Sequence, residues 1–165
     1  MKRVIFDTNI YGELVVDPFV HEVKELCKNS NLVGYGFSLI RKELQKIPEN
    51  VVNNGKKLRV ALLFLYDEIV GKHTLSPDKH KLSILARGYY KKYRALGGLS
   101  SQSDFNADFL IVACASLHDL NIVVSNDDTS MLSEVALTAY KAVNKINDLK
   151  MPQFIDYYDF VSSLR

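Results

Sequence analysis

Two short runs limit what this chain can fold into. Val4-Ile5-Phe6 is apolar at every position and ends at Asp7, and Ile122-Val123-Val124 is apolar at every position and ends at Ser125-Asn126-Asp127. A strand apolar on both sides is buried on both sides, which is the condition of a parallel sheet covered by helices. A carboxylate just past such a strand falls in the crevice where open α/β sheets hold their ligands. Asp is also a good helix N-cap, so the position of Asp7 alone leaves both readings open.

The intervening pattern alternates between strand and helix. A short helix is expected over 10–16, and Asp17-Pro18 starts another with Phe19, Val23, Leu26 and Cys27 on one face; Asn29-Ser30-Asn31 ends it. Residues 32–37, between and around two glycines, read as a strand, and Ser38 caps a helix that contains Glu43 and stops at Ile47-Pro48. Long helices follow over 52–70 and 77–96, with His73-Thr74-Leu75 between them as a short strand or a link. The most apolar helix, 105–117, should be central, with Asp108 in its first turn or two. After strand 122–124 come a helix near 131–146, a short strand at 154–155 and a last helix near 158–164. There is no internal repeat and no linker, so the expectation is one domain spanning 1–165: a three-layer α/β fold with a mostly parallel sheet. Right-handed crossovers bring its strand ends to one edge.

Several function classes drop out. With 21 Lys and Arg against 19 Asp and Glu, a net charge of +2 argues for neither nucleic acid nor membrane by itself. Cys27, Cys114 and four scattered histidines show no zinc spacing, and both cysteines sit in apolar helical patterns. No apolar run approaches the ~18 residues of a membrane span, and the first strand begins too early for a signal peptide, so a cytoplasmic location is expected. P-loop, dinucleotide-binding and nucleophile-elbow motifs are missing, and Asn9 stands where an aspartyl phosphatase would need a second Asp. The helix near 77–96 interleaves Lys81, Arg87, Lys91, Lys92 and Arg94 with Tyr89, Tyr90 and Tyr93. That mixture reads either as a solvated face or as a groove wall for a phosphate backbone with stacking tyrosines.

The acids converge in this topology. Asp7 and Asp127 follow strands; Asp108 lies near a helix start, at the same edge; Glu43 is about one turn into the helix after strand 32–37 and reaches back toward that edge. If the four met about 6 Å apart, each ionised pair would repel by ~3 kcal/mol at an effective dielectric of ~20. Shared protons or hard cations would have to relieve this, and an all-oxygen set suits Mg²⁺ or Mn²⁺.

On these pieces the chain resembles the PIN-domain family of metal-dependent nucleases, which includes VapC-type toxins. The matching segments are Phe6-Asp7-Thr8-Asn9, Ser38 through Glu43-Leu44, the run from Asp108 through Ala115, and Val124-Ser125-Asn126-Asp127. The resemblance implies a three-layer α/β/α sandwich with a parallel five-stranded sheet. It implies Asp7, Glu43, Asp108 and Asp127 as the catalytic and metal-holding acids, and an endoribonuclease acting on RNA. Thr8, Asn9 and Ser125 would orient carboxylates or a phosphate, or else serve only as caps and turn residues. Ser125 stands where the family often has Thr, and the chain exceeds the compact toxins in its two long helices and its tail. Asp104 is a substitute ligand or an N-cap, and Asp128 a helix-start residue. As a toxin, the protein would have an antitoxin partner encoded elsewhere; the apolar surface of the extra helices would equally serve a homodimer. The competing expectations are a non-catalytic RNA-binding or assembly module and a nuclease acting on DNA.

Overall fold

A computed structural model describes residues 1–29 and 31–164; Ser30, in the expected stop after the second helix, and Arg165 lie outside the described residues. The chain begins with β1 (Lys2–Phe6), α1 (Thr8–Val16), α2 (Val20–Lys28), β2 (Leu32–Phe37) and α3 (Ser38–Gln45). It continues with β3 (Val52–Asn53), β4 (Lys56–Lys57), α4 (Leu58–Val70), β5 (Thr74–Leu75) and α5 (Lys79–Ala95). Then come α6 (Gln102–Leu117), β6 (Ile122–Val124), α7 (Glu134–Ile146), β7 (Gln153–Ile155) and α8 (Tyr157–Ser162).

Five strands form one parallel sheet in the order β5-β2-β1-β6-β7. From β1 the chain builds outward through β2 to β5, then crosses back and builds the other way through β6 to β7. The order therefore reverses between β1 and β6, where Val4, Ile5 and Phe6 pair with Ile122, Val123 and Val124. Beyond the ends of those two strands lies the crevice that a doubly wound sheet opens for ligands. Because the two crossovers on one side of β1 and the two on the other run in opposite directions, right-handedness puts their helices on opposite faces. Accordingly α1, α2 and α4 pack together, while α5 packs on α6 and α7. The result is a three-layer α/β/α sandwich. The fully apolar runs are its centre: Val4, Ile5, Phe6, Val123 and Val124 are all buried, as are Phe109 and Ile111 to Ala115 of α6.

Glycine has a packing role in β2. A Cβ at Gly34 would lie 2.5 Å from the Ile69 side chain, and one at Gly36 would strike Tyr66 and Val70. Both glycines project to the same side of the strand and let α4 settle on the sheet.

Several expected boundaries move, three of them for a local reason. The helix expected over 52–70 begins only at Leu58, because 52–57 form an antiparallel hairpin. Asn54 and Gly55 at its tip both take positive φ, 47° and 72°, the geometry of a two-residue turn that matches strand twist. Ser38 does not cap α3: Phe37 holds the N-cap position, without a side-chain cap bond, and Ser38 is the first helical residue. The helix expected from 131 starts at Glu134, capped by Ser133, since 128–132 are held in turns by Asp127; Asp128 is a turn residue there. Among the described residues, no helix is long and apolar enough to cross a membrane.

Candidate functional site

Asp7 is both a helix cap and a buried acid. Its backbone N–H continues the β1–β6 ladder by donating to the Val124 carbonyl at 2.9 Å. Its Oδ1 accepts from the Thr8 N–H at 2.7 Å, which starts α1. Its Oδ2 accepts from the Ser125 hydroxyl at 2.7 Å. The residue is only 6% exposed, and burial raises its pKa above the ordinary carboxylate value. The two hydrogen bonds work against that rise, while the charges of Glu43 and Asp127 add to it.

Ser125 passes the connection on. Fully buried at the end of β6, its Oγ also accepts from the Asp127 N–H at 3.1 Å. Asp127 is half-buried, and its Oδ1 accepts from the Ser130 N–H at 2.9 Å and the Thr129 hydroxyl at 3.1 Å. The Ser130 hydroxyl then stands between two acids, in contact with Asp127 Oδ2 and 2.7 Å from Asp108 Oδ2. At the other end of this chain of contacts, the Thr8 hydroxyl donates to Glu43 Oε2. Glu43 reaches the edge because α3 follows β2 there and touches α6 as well as α4. The four acids are thus strung, by way of Thr8, Ser125 and Ser130, around the crevice between β1 and β6.

The electrostatics follow from that crowding. Asp108 is pushed up to about 7, chiefly by burial; Ser130 opposes the rise and the charges of Asp7, Asp127 and Glu43 add to it. One hydroxyl has one proton, so Ser130 cannot donate to both carboxylates at once. A proton on Asp108 completes the bridge: it donates to Ser130, which donates to Asp127. Among the described residues, however, no three His, Cys, Asp or Glu side chains stand in an ion-holding arrangement. The acids share one neighbourhood and are linked to one another through the hydroxyls of Thr8, Ser125 and Ser130.

The remaining expected residues divide. Asn9 is exposed and contributes only a long contact, its Oδ1 accepting from the Asn126 N–H at 3.4 Å. Asp104 is taken by the helix start: its Oδ2 accepts from the Ser101 hydroxyl at 2.6 Å, and its N–H donates back to Ser101 Oγ at 3.4 Å. This capping box begins α6 at Gln102, three residues ahead of the expected start, and removes Asp104 from the acid site. Asp104→Ala is therefore expected to lower stability by about 1 kcal/mol in urea unfolding and to leave any cleavage activity intact. A proportionate loss of activity would return Asp104 to the site.

Sequence reasoning missed Ser130, whose one cue is a Thr-Ser pair two and three residues after a strand-end acid. It also missed Tyr140, which is fully buried among Tyr89, Phe109 and Phe154. Among the described residues its hydroxyl has no hydrogen-bond partner, and burial together with the nearby Asp108 charge raises its pKa well above the ordinary value. The tyrosines of α5 are not free to stack on bases: Tyr89 and Tyr93 are buried, and half-buried Tyr90 packs on Phe109. A separate groove of about 830 Å³, between α1, α2, α4 and the β3–β4 hairpin, contains none of the four acids.

Compared with models of known protein families and with the curated proteins, the chain matches none.

Proposed function

We propose that this protein is a Mg²⁺- or Mn²⁺-dependent endoribonuclease of the PIN-domain kind. The observation that carries the reading is the string of four carboxylates, Glu43, Asp7, Asp127 and Asp108, held by Thr8, Ser125 and Ser130 at the switch point of a parallel sheet. The donor set fits a hard divalent cation, being all oxygen with no histidine or thiolate among its members. In this reading Asp7 and Asp108 hold the ion, and Asp127 and Glu43 complete the site, in part through water. A bound ion supplies a water of lowered pKa and neutralises charge on the phosphodiester.

The chain's own residues do the rest. Thr8 N–H and Ser125 Oγ fix both oxygens of Asp7, so its orientation is set before any ligand arrives. Asp108 holds a proton near neutrality and must release it to become a ligand, which couples ion binding to pH. Ser130 keeps Asp108 and Asp127 side by side during that change.

Purified protein is expected to cut members of a labelled single-stranded RNA panel with Mn²⁺ and to stop on adding EDTA; a DNA of the same sequence serves as the comparison. Cleavage undiminished by EDTA would sink the metal reading. A second reading, a non-catalytic RNA-binding or assembly module, is favoured by one observation: among the described residues no three of the acids stand in an ion-holding arrangement. Thermal unfolding separates the two, because an ion at about 100 times its dissociation constant stabilises by ~2.7 kcal/mol. A scaffold shows no shift.

A further inference from the structure

One helix of this chain carries cations and no acids. α5 contains six of the 21 Lys and Arg residues (Lys79, Lys81, Arg87, Lys91, Lys92 and Arg94) and none of the 19 Asp and Glu. The chain outside α5 therefore carries a net −4 against +6 on the helix. Lys79, Lys81, Arg87, Lys91 and Arg94 are exposed, and among the described residues none of the six forms a salt bridge. The nearest acid in sequence is Asp78, the N-cap.

Helix stability does not explain this pattern. Cations in the last turn, such as Lys92 and Arg94, favour a helix, but Lys79 and Lys81 lie in the first turn, where they oppose the helix dipole. Arg87, Lys91 and Arg94 follow at i, i+4 and i+7, which places them on one face over about 10 Å. That length is the axial span of roughly three stacked nucleotides.

The placement of the face gives it a use. α6 leads into β6, so its N-terminal end lies at the edge where the strands end. α5 connects to α6 through the short link 96–101 and packs along it, with Tyr93 against Phe105 at 4.7 Å and Tyr90 against Phe109 at 6.3 Å. The C-terminal end of α5, with Lys91, Lys92 and Arg94, therefore lies at the same edge as the acids. On α6, Asp108 is about a quarter-turn from the stripe of Phe105 and Phe109 that faces α5.

We propose that the exposed face of α5 binds the phosphodiester backbone of a nucleic-acid strand and leads it toward the acidic edge. The delivery half of this statement rests on the nuclease reading; the binding half does not. With Tyr89 and Tyr93 buried and Tyr90 packed on Phe109, the face reads charge and not bases, so affinity is expected to depend steeply on salt and little on sequence.

Binding is measured in EDTA, by fluorescence anisotropy of a labelled oligouridylate and of the matching oligothymidylate, over a range of salt concentrations. The triple variant Arg87→Glu, Lys91→Glu, Arg94→Glu is expected to bind at least about tenfold more weakly, with the salt slope reduced by roughly two for three lost phosphate contacts. The neutral version, Arg87→Gln, Lys91→Gln, Arg94→Gln, is expected to show the same direction and guards against misfolding by charge reversal; melting curves check both. Cleavage with Mn²⁺ is assayed separately on the same variants, so that loss of cleavage and loss of binding stay distinguishable. Unchanged binding by the folded variants would overturn the proposal, as would failure of the wild type to bind either strand. Equal displacement of the strand by an acidic polyglutamate of matched charge would also overturn it, in favour of an acidic protein as the occupant. Equal binding of RNA and DNA supports it and identifies the shared backbone as the ligand; a preference for one strand supports it and adds the sugar as a contact.

Discussion

Asp108→Asn is expected to remove Mn²⁺-stimulated RNA cleavage by roughly three orders of magnitude, the rate equivalent of about 4 kcal/mol, in a protein that remains folded. The side chain is half-buried near the N-terminal end of α6, with its Oδ2 at Ser130 and the other three acids close enough to affect its proton. Asn preserves the size and can still donate to Ser130, so the bridge to Asp127 survives while the charge is lost. Asp7→Asn is expected to do the same to activity at little cost to the fold. Asn is as good an N-cap as Asp, and its amide can donate to Ser125 Oγ once that hydroxyl turns away. Single-turnover cleavage with melting curves on the same samples checks both. Residual activity above about a tenth of wild type in either folded variant would mean that the ion, if bound, is held elsewhere.

The sheet was legible in the sequence because burial on both faces leaves short runs without a polar residue, too short for a helix and bounded by polar turns. Val4 to Phe6 and Ile122 to Val124 carry no polar residue and occupy the centre of the sheet, paired with each other. The buried face of α5 was equally legible: Leu82, Leu85, Ala86, Tyr89 and Tyr93 recur at helical spacing and are buried. Residues 52–57 were not, because Val52 is well exposed and two-residue strands offer no alternation to read; Asn54-Gly55 was the remaining cue, and it fell inside an otherwise helical pattern. At the site, strand ends and a helix start located the acids to one edge. The hydroxyls that join them were harder to see. Ser130 owes its role to a turn that folds back onto Asp108, 22 residues away, and no local pattern records such a contact. Asp104 left two readings open, a substitute ligand one turn from Asp108 or a helix-start residue, and the α6 N-terminus claims it as the acid of its capping box.

Without metal, stability is expected to fall between pH 4 and pH 8, by about 2 kcal/mol, and this loss should trace largely to Asp108. Its carboxyl is raised from an ordinary 3.8 to about 7. The native state therefore keeps a proton that the unfolded chain releases, and stability decreases with pH wherever that holds. The contribution is fully present below pH 4 and is lost as pH rises through 7. A shift of this size read directly corresponds to about 4 kcal/mol; partial solvent access to Asp108 roughly halves it. Asp7, raised in the same direction, adds to the slope. His118 opposes it: burial lowers its pKa, so its contribution is present above 6.5 and is lost as pH falls. Comparison with Asp108→Asn cancels His118 and leaves the acid site. The variant is expected to give a flatter profile in urea unfolding and to exceed wild type in stability at pH 8. Mn²⁺ should act oppositely to the proton, stabilising wild type more at pH 8 than at pH 5, because the ion and the proton compete for one carboxylate. Superimposable profiles of wild type and variant in EDTA would show that Asp108 is already ionised in the folded protein, and the proton bridge through Ser130 would then have to be abandoned.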